Sequence, residues 1–446
     1  MKEKPEKIHQ DTIPLRYQVN PFDFFSDLLC SFSDQMIHLV IMLDGQMNHD
    51  ALVRAALLAT EAEPVTRCRL IQENDMLWWE MNPRVSGKDL VTEFSGKDPV
   101  HHLQKALSDR IDPFIGPMVK IVHIRSTEGN EDILVINAHH ASMDGKGMKD
   151  FTGLLLSLYK SIQNEVSVLI EPTGMSVRIL PRLSSLVPDL STSADIQVHW
   201  SDKFSVPTRS LTCEKQVFSL LALNKERVDQ IHSVRKEWGI TLNDLMLAVV
   251  ATACSRITDG NINDIHLLNT IDLRRYLTRV PERSVFNFAT AFEVAIRVHP
   301  DDSLRDTAIR THEMMKQIKK GTPGIEAAIE AEYLHDAGCT AARSGMLKQW
   351  NGVLAEGKRS PLFTNTGIIY PEQLDPGIPV AHAFLLPTHN LPPGFSFAIS
   401  TFGDEMTLSS SYGMPAFDPE LVRTLYTSLD TILPGHEEHP GTYSVL

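Results

Sequence analysis

The chain has 446 residues, 42% of them hydrophobic and 22% charged, which is enough to bury a sizeable core in two or three domains. A formal charge of -14 argues against a dedicated nucleic-acid binder, whose surface would be basic. Five cysteines (Cys30, Cys68, Cys213, Cys254, Cys339) without CxxC spacing read as scattered thiols of a cytoplasmic protein, not as a disulfide framework or a zinc site.

Met1 to Lys7 is charged and carries no apolar run behind it, so no secretory signal is expected there. The longest nearly continuous apolar run, Leu245 to Cys254, is about half the length a membrane-spanning helix needs and reads as a buried helix.

Residues 37–43 have a strand pattern, and 48–62 a helix with Asn48 as N-cap. Arg67–Gln72 and Met76–Met81 form a predicted hairpin around Glu73-Asn74-Asp75. The apolar run Ile133 to Ala138 ends in His139-His140, and Asp144-Gly145 follows. Adjacent side chains on an extended segment point to opposite faces, so at most one of the two histidines can face a given cleft. Histidine is the usual general base near neutrality, and Asp-Gly permits a sharp turn.

From about 163 to 215 the chain is rich in Pro, Ser, Thr and Val, as an interdomain connection would be. Predicted elements then follow in order: a strand over 216–222, helices over 224–238 and 243–256, and a strand over 265–271. Helices are expected near 303–319 and 323–350, a strand near 362–370 and a meander through 380–412. A last helix starts at Asp418-Pro419. The order of elements suggests two similarly folded halves: 1–165 with the histidine motif, 166–215 connecting, and 216–446. Trp78-Trp79 and Met314-Met315 read as core or tunnel wall.

The His139-His140-Ala141-Ser142-Met143-Asp144-Gly145 run resembles the HHxxxDG motif of the acyltransferase superfamily. That superfamily includes chloramphenicol acetyltransferase, peptide-synthetase condensation domains, polyketide-associated acyltransferases and wax ester synthases. Five more segments resemble it in the same order. They are Pro21-Phe22-Asp23-Phe24-Phe25, Pro64 to Arg69, Gly239 to Ala248, Asn269 to Arg275, and Phe363-Thr364-Asn365-Thr366-Gly367. Two of these depart by one residue: Thr66 replaces Leu, and Thr364 replaces Ser. The nearest match to the DFGWG segment is Phe402-Gly403-Asp404-Glu405, which sets the plant branch aside.

The resemblance implies an α/β fold of two chloramphenicol-acetyltransferase-like halves. Each would be a mixed sheet with helices, and the two would form a V with a tunnel between them. It implies His140 as general base and His139 as support. Asp144 would pair with Arg274, with neighbouring Arg275 as the open alternative, and Gly145 would allow close backbone approach. Asn365 and Thr364 would bind substrate, although a strand asparagine serves as well in a structural hydrogen bond.

The expected activity is stand-alone transfer of an acyl group from a thioester to a hydroxyl or amine. The co-substrate would be acyl-CoA or a carrier protein's phosphopantetheine arm. No tightly bound cofactor and no metal is expected, because adjacent strand histidines diverge. A small-molecule acceptor, and an acyl- or peptidyl-carrier protein as partner, follow from the same resemblance. Lys316, Lys319, Lys320 and Arg343 are candidates for the donor's phosphates, against the plainer reading of a solvated helix face. A non-catalytic carrier-binding module and a thioester hydrolase are the alternatives.

Overall fold

Helix starts in this chain are written by short polar side chains. Asn48, Asn224 and Thr241 each accept a hydrogen bond from a backbone N–H in the first helical turn. Ser303 and Asp306 form a capping box, and Asp418 caps a helix with Pro419 in its first turn. The computed structural model describes residues 16–174, 178–186, 204–258, 264–281 and 283–446. Met1 to Lys7 and Pro188, in the two segments read above as leaderless terminus and connection, lie outside the described residues.

The first half runs β1 (Arg16–Gln18), α1 (Pro21–Leu29), β2 (Met36–Leu43), α2 (His49–Ala62), β3 (Cys68–Glu73) and β4 (Met76–Met81). It continues through α3 (Gly87–Leu90), β5 (Val91–Gly96), α4 (Pro99–Ser108), β6 (Val119–Ser126), β7 (Asp132–His139) and α5 (Gly145–Gln163). The second half has β8 (Cys213–Leu223), α6 (Lys225–Glu237), α7 (Leu242–Arg256), β9 (Asp264–Asp272), β10 (Ala289–Arg297) and α8 (Leu304–Ile318). Then follow α9 (Ile325–Ala337), α10 (Cys339–Glu356), β11 (Leu362–Ile369), β12 (Val380–Leu386), β13 (Ser396–Phe402), β14 (Glu405–Pro415), α11 (Pro419–Ile432) and β15 (Thr442–Val445).

Among the described residues there are three sheets, all mixed in with helices: a small one ordered β1-β4-β3, a five-stranded one ordered β12-β2-β7-β6-β5, and a seven-stranded one ordered β10-β9-β11-β13-β14-β8-β15. The helix-rich α/β class expected from the sequence is what forms. The apolar run of α7 is buried, with Leu245, Leu247 and Val249 at 0% exposure, because it lies within the second core. No single helix among the described residues is long and apolar enough to cross a membrane.

Two expectations change. The helix expected over 323–350 is two helices. Gly338, at φ 84°, breaks it, and a Cβ there would sit 2.5 Å from the Asp75 carboxylate. The segment 380–412 is not a simple meander. Its first strand, β12, pairs antiparallel with β2 of the first half, from Val380–Leu43 to Leu386–His38. Only β13 and β14 form a hairpin in the large sheet.

Helix α10 crosses over as well: Cys339, Ala342, Met346 and Trp350 belong to the first half's core. A boundary near 216 therefore divides the motifs but not the cores. A further cluster of buried side chains joins the two larger sheets, with Val40, Val135 and Phe384 from the five-stranded sheet and Phe218 and Leu220 from the seven-stranded one.

Candidate active site

Strand β7 is central in the five-stranded sheet, and its end delivers both histidines. The alternation of side chains sends them to opposite faces, as the pleat requires. His139 is 1% exposed. Its Nδ1 accepts the Ala141 N–H at 3.2 Å, which leaves the proton on Nε2, 3.4 Å from the Cys30 sulfur. Burial, reinforced by neighbouring His140, pushes its pKa down to about 3. It is a neutral packing residue.

His140 faces the other way and lines a cavity of about 220 Å³ between the halves. Its backbone N–H donates to Gln35 at 2.8 Å, tying the residue to the turn before β2. Nδ1 is enclosed and has no hydrogen-bond partner among the described residues. Burial lowers the imidazole's pKa, and the Asp144 charge opposes the shift. The base-competent neutral form is thus favoured.

Asp144 caps α5 through Gly147 N–H at 3.0 Å. It also accepts from Phe288 N–H at 2.9 Å and pairs with Arg274, Nη1 to Oδ2, at 2.6 Å. Arg274 is therefore the partner, and Arg275 instead lies over the Tyr276 ring. Burial alone would raise the Asp144 pKa, but the Arg274 charge and the hydrogen bonds outweigh it and the carboxyl stays below its usual range. Arg274 Nη1 also donates to Asp272 Oδ1 at 3.1 Å, and Nη2 to the carbonyls of Ser284 and Phe286 at 3.0 and 2.8 Å. The motif loop of the first half is thereby clamped to the second.

Gly145 does not play the part expected of it. Its φ is not positive, and a Cβ there would meet nothing within 4 Å. The close approach falls at Gly147, where a Cβ would lie 2.8 Å from Met143 Cβ and 3.0 Å from the Ser284 carbonyl.

Thr364 and Asn365 are not among the residues lining the cavity. Asn365 turns its Oδ1 onto Gly367 N–H at 3.0 Å, closing a local turn at a strand irregularity. Thr364 accepts from Thr270, and Thr270 is the one that reaches the wall. The four basic candidates do not gather at the cavity either. Lys316 pairs with Glu313, Lys319 with Asp244 and Lys320 with Gln317. Arg343 is on a different helix and bonds Asp27 and Gln72.

Sequence reasoning missed Arg178. It is 5% exposed and donates to the carbonyls of Ala141, Ser142 and Val285 at 3.3, 3.0 and 2.8 Å. Its charge is met by Asp23 Oδ2 at 2.6 Å, and Asp23 also accepts from Trp79 Nε1 at 3.0 Å. The motif loop is thus held from behind by a second buried ion pair. Two more residues were missed: Glu330 on α9 and Arg359 after α10, both lining the cavity. The clue for Asp23 was present in Pro21-Phe22-Asp23; nothing local marked Arg178.

No protein-family model matches the chain, and no curated protein is similar to it in sequence. Solved structures are similar in fold. The condensation domain of the Monacolin K polyketide synthase MokA aligns with a TM-score of 0.66 at 14% identity, over 95% of this chain and 97% of that one. TRI3 trichothecene 15-O-acetyltransferase from Fusarium sporotrichioides aligns with 0.67 at 13%, over 94% and 95%. The epimerization domain of the third module of tyrocidine synthetase B aligns with 0.65 at 15%, over 94% and 95%. The chain has the two-subdomain, chloramphenicol-acetyltransferase-like fold of condensation domains.

Proposed function

We propose that this protein is an acyltransferase that moves an acyl group from a thioester to a hydroxyl or amine acceptor. The observation that carries the reading is His140: an imidazole, held neutral by burial, that lines a mainly apolar cavity between the halves. In the step, the acceptor's oxygen or nitrogen attacks the thioester carbonyl while Nε2 takes its proton. The new C–O or C–N bond forms, the C–S bond breaks, and the imidazolium returns the proton to the departing thiolate. A positioned base of this kind supplies ~10²–10⁴-fold. The remainder comes from holding the partners together and from excluding water.

The donor in this proposal is acyl-CoA or an acyl group on a carrier protein's phosphopantetheine arm. The similar folds of condensation domains and of an acetyltransferase support the class of reaction. The test is a mass-spectrometric screen of acyl-CoAs, and of acylated carrier protein, against alcohols and amines. Any productive pair is repeated with His140→Ala, which should keep its melting temperature and lose ~10²–10⁴-fold in rate. Transfer at the unaltered rate in that variant removes His140 as the base.

A further inference from the structure

Helix α9 carries three buried acidic or basic side chains, and two of them have partners. Glu332 accepts the Leu183 N–H at 2.6 Å, and His335 Nε2 meets the Val19 carbonyl at 3.0 Å. Glu330 is equally buried, at 7% exposure, yet its Oε1 has no hydrogen-bond partner among the described residues. It lines the same cavity as His140, one turn along from Ala327, which also faces it. A buried polar atom without a partner costs stability, and such groups in native proteins ordinarily have a reason.

The aim of Glu330 is set by the start of its helix. Gly324 stands at φ 83°, and a Cβ there would lie 2.5 Å from Ile271 and 2.7 Å from Thr290. The Thr290 hydroxyl donates to the Gly324 carbonyl at 3.1 Å. Helix α9 is thereby pressed onto β9 and β10, whose Thr270 and Ala291 form the facing wall. The cavity surface is mainly apolar, with Phe22, Phe25, Leu268 and Phe395 on it, and Arg359 and Asn287 are among its polar lining residues.

We propose that Glu330 is a specificity-determining residue that hydrogen-bonds a hydroxyl or carbonyl oxygen of an otherwise apolar ligand. Burial raises its carboxyl to about 8, so near neutral pH it is mostly an uncharged O–H donor. An uncharged donor suits an oxygen and does not suit a cationic amine. The apolar wall takes the ligand's body. Naming that ligand the acceptor rests on the acyltransferase reading; the hydrogen bond itself does not.

The probes are 4-phenyl-2-butanol, 4-phenyl-2-butanone, butylbenzene and 4-phenylbutan-2-amine, with binding followed by ligand-observed NMR at pH 7. The ratio of alcohol or ketone affinity to butylbenzene affinity should fall about 3–10-fold in Glu330→Leu, the size of one neutral hydrogen bond. In Glu330→Gln, which keeps a donor, it should stay within about twofold of the wild type. An unchanged ratio in Glu330→Leu, no binding of any oxygenated probe, or tighter binding of the amine than of the alcohol overturns the proposal. Acyl transfer is assayed separately. A shifted ratio without any transfer supports Glu330 and sinks the transferase reading, whereas transfer with an unshifted ratio does the reverse.

Discussion

Asp144 and Arg274 are 130 residues apart and meet as a two-point ion pair, Nη1 to Oδ2 at 2.6 Å and Nη2 to Oδ1 at 3.2 Å. Each is 4% exposed. The pair fixes the loop after His140 against the second half, alongside Arg178, which bonds Ser142 of that loop and Val285 of the second half. Truncating Asp144 leaves the buried Arg274 with only the half-exposed Asp272 carboxylate, 3.1 Å away. Asp144→Ala should cost ~3–5 kcal/mol in urea denaturation. A loss under about 1 kcal/mol, the value of an exposed pair, would mean the clamp is not structural. Because the Asp144 carboxyl is held below its usual range, its contribution is present above the unfolded value of 3.8 and is lost as pH falls through the lowered folded value.

The rate of transfer should report the His140 environment. Burial moves its pKa below the ordinary 6.5, so the imidazole, the proposed base, is neutral at lower pH than an exposed histidine would be. Rate constants at low substrate should rise with pH and level off before 6.5 is passed. An acid limb centred above that value would contradict the buried, neutral imidazole.

The two glycines of the motif region separate cleanly. Gly145→Ala places a methyl in open space and should change stability by no more than ~0.5 kcal/mol. Gly147→Ala drives a methyl toward Met143, Ser284 and Phe286 and should cost ~1–3 kcal/mol, with a matching loss of activity as the halves part. Thermal denaturation of both variants tests the assignment, and equal melting temperatures would refute it.

Glu330 should leave a signature in the pH dependence of stability. Its pKa is raised by burial from 4.5 to about 8 in the folded chain, so the folded state favours the proton. The stability tied to that proton is full below 4.5, declines as pH rises, and has gone once the pH passes about 8. Glu330→Gln cannot ionise. Its advantage over the wild type should grow across that window to a few kcal/mol and stay flat above it. Denaturation series at pH 5, 6.5, 8 and 9 measure the difference, and a constant gap would mean that Glu330 is ionised at low pH.

Much of the architecture was legible because it is local. Asn48, Asn224 and Asp418 announce their helices, and the apolar run before His139 announces its strand. The pairing of Asp144 with Arg274 came from matched motifs, and the packing selects between Arg274 and Arg275. What stayed hidden depends on distant partners. Arg178 looks like one residue in a Pro-rich connection, and only the fold sets it beneath Ala141 and Ser142. Glu330 in Ile329-Glu330-Ala331-Glu332 reads as an ordinary helical acid, because nothing local distinguishes it from partnered Glu332. Thr364 and Asn365 matched a pattern, but their side chains bond within the sheet and its turn.

The pairing of β12 with β2 has a consequence for how the chain is made. Strand β2 ends at Leu43, and the strand that covers its outer edge begins at Val380. During synthesis the first half has its histidine motif long before it has its last strand. Until then β2 is an open edge, able to pair with the same strand of another chain. The first half on its own should therefore be a sticky fragment, whatever its own core contributes. Because this sheet joins residues so far apart along the chain, it should close late and slowly, and the cavity beside His140 should take shape only after nearly all of the polypeptide is present.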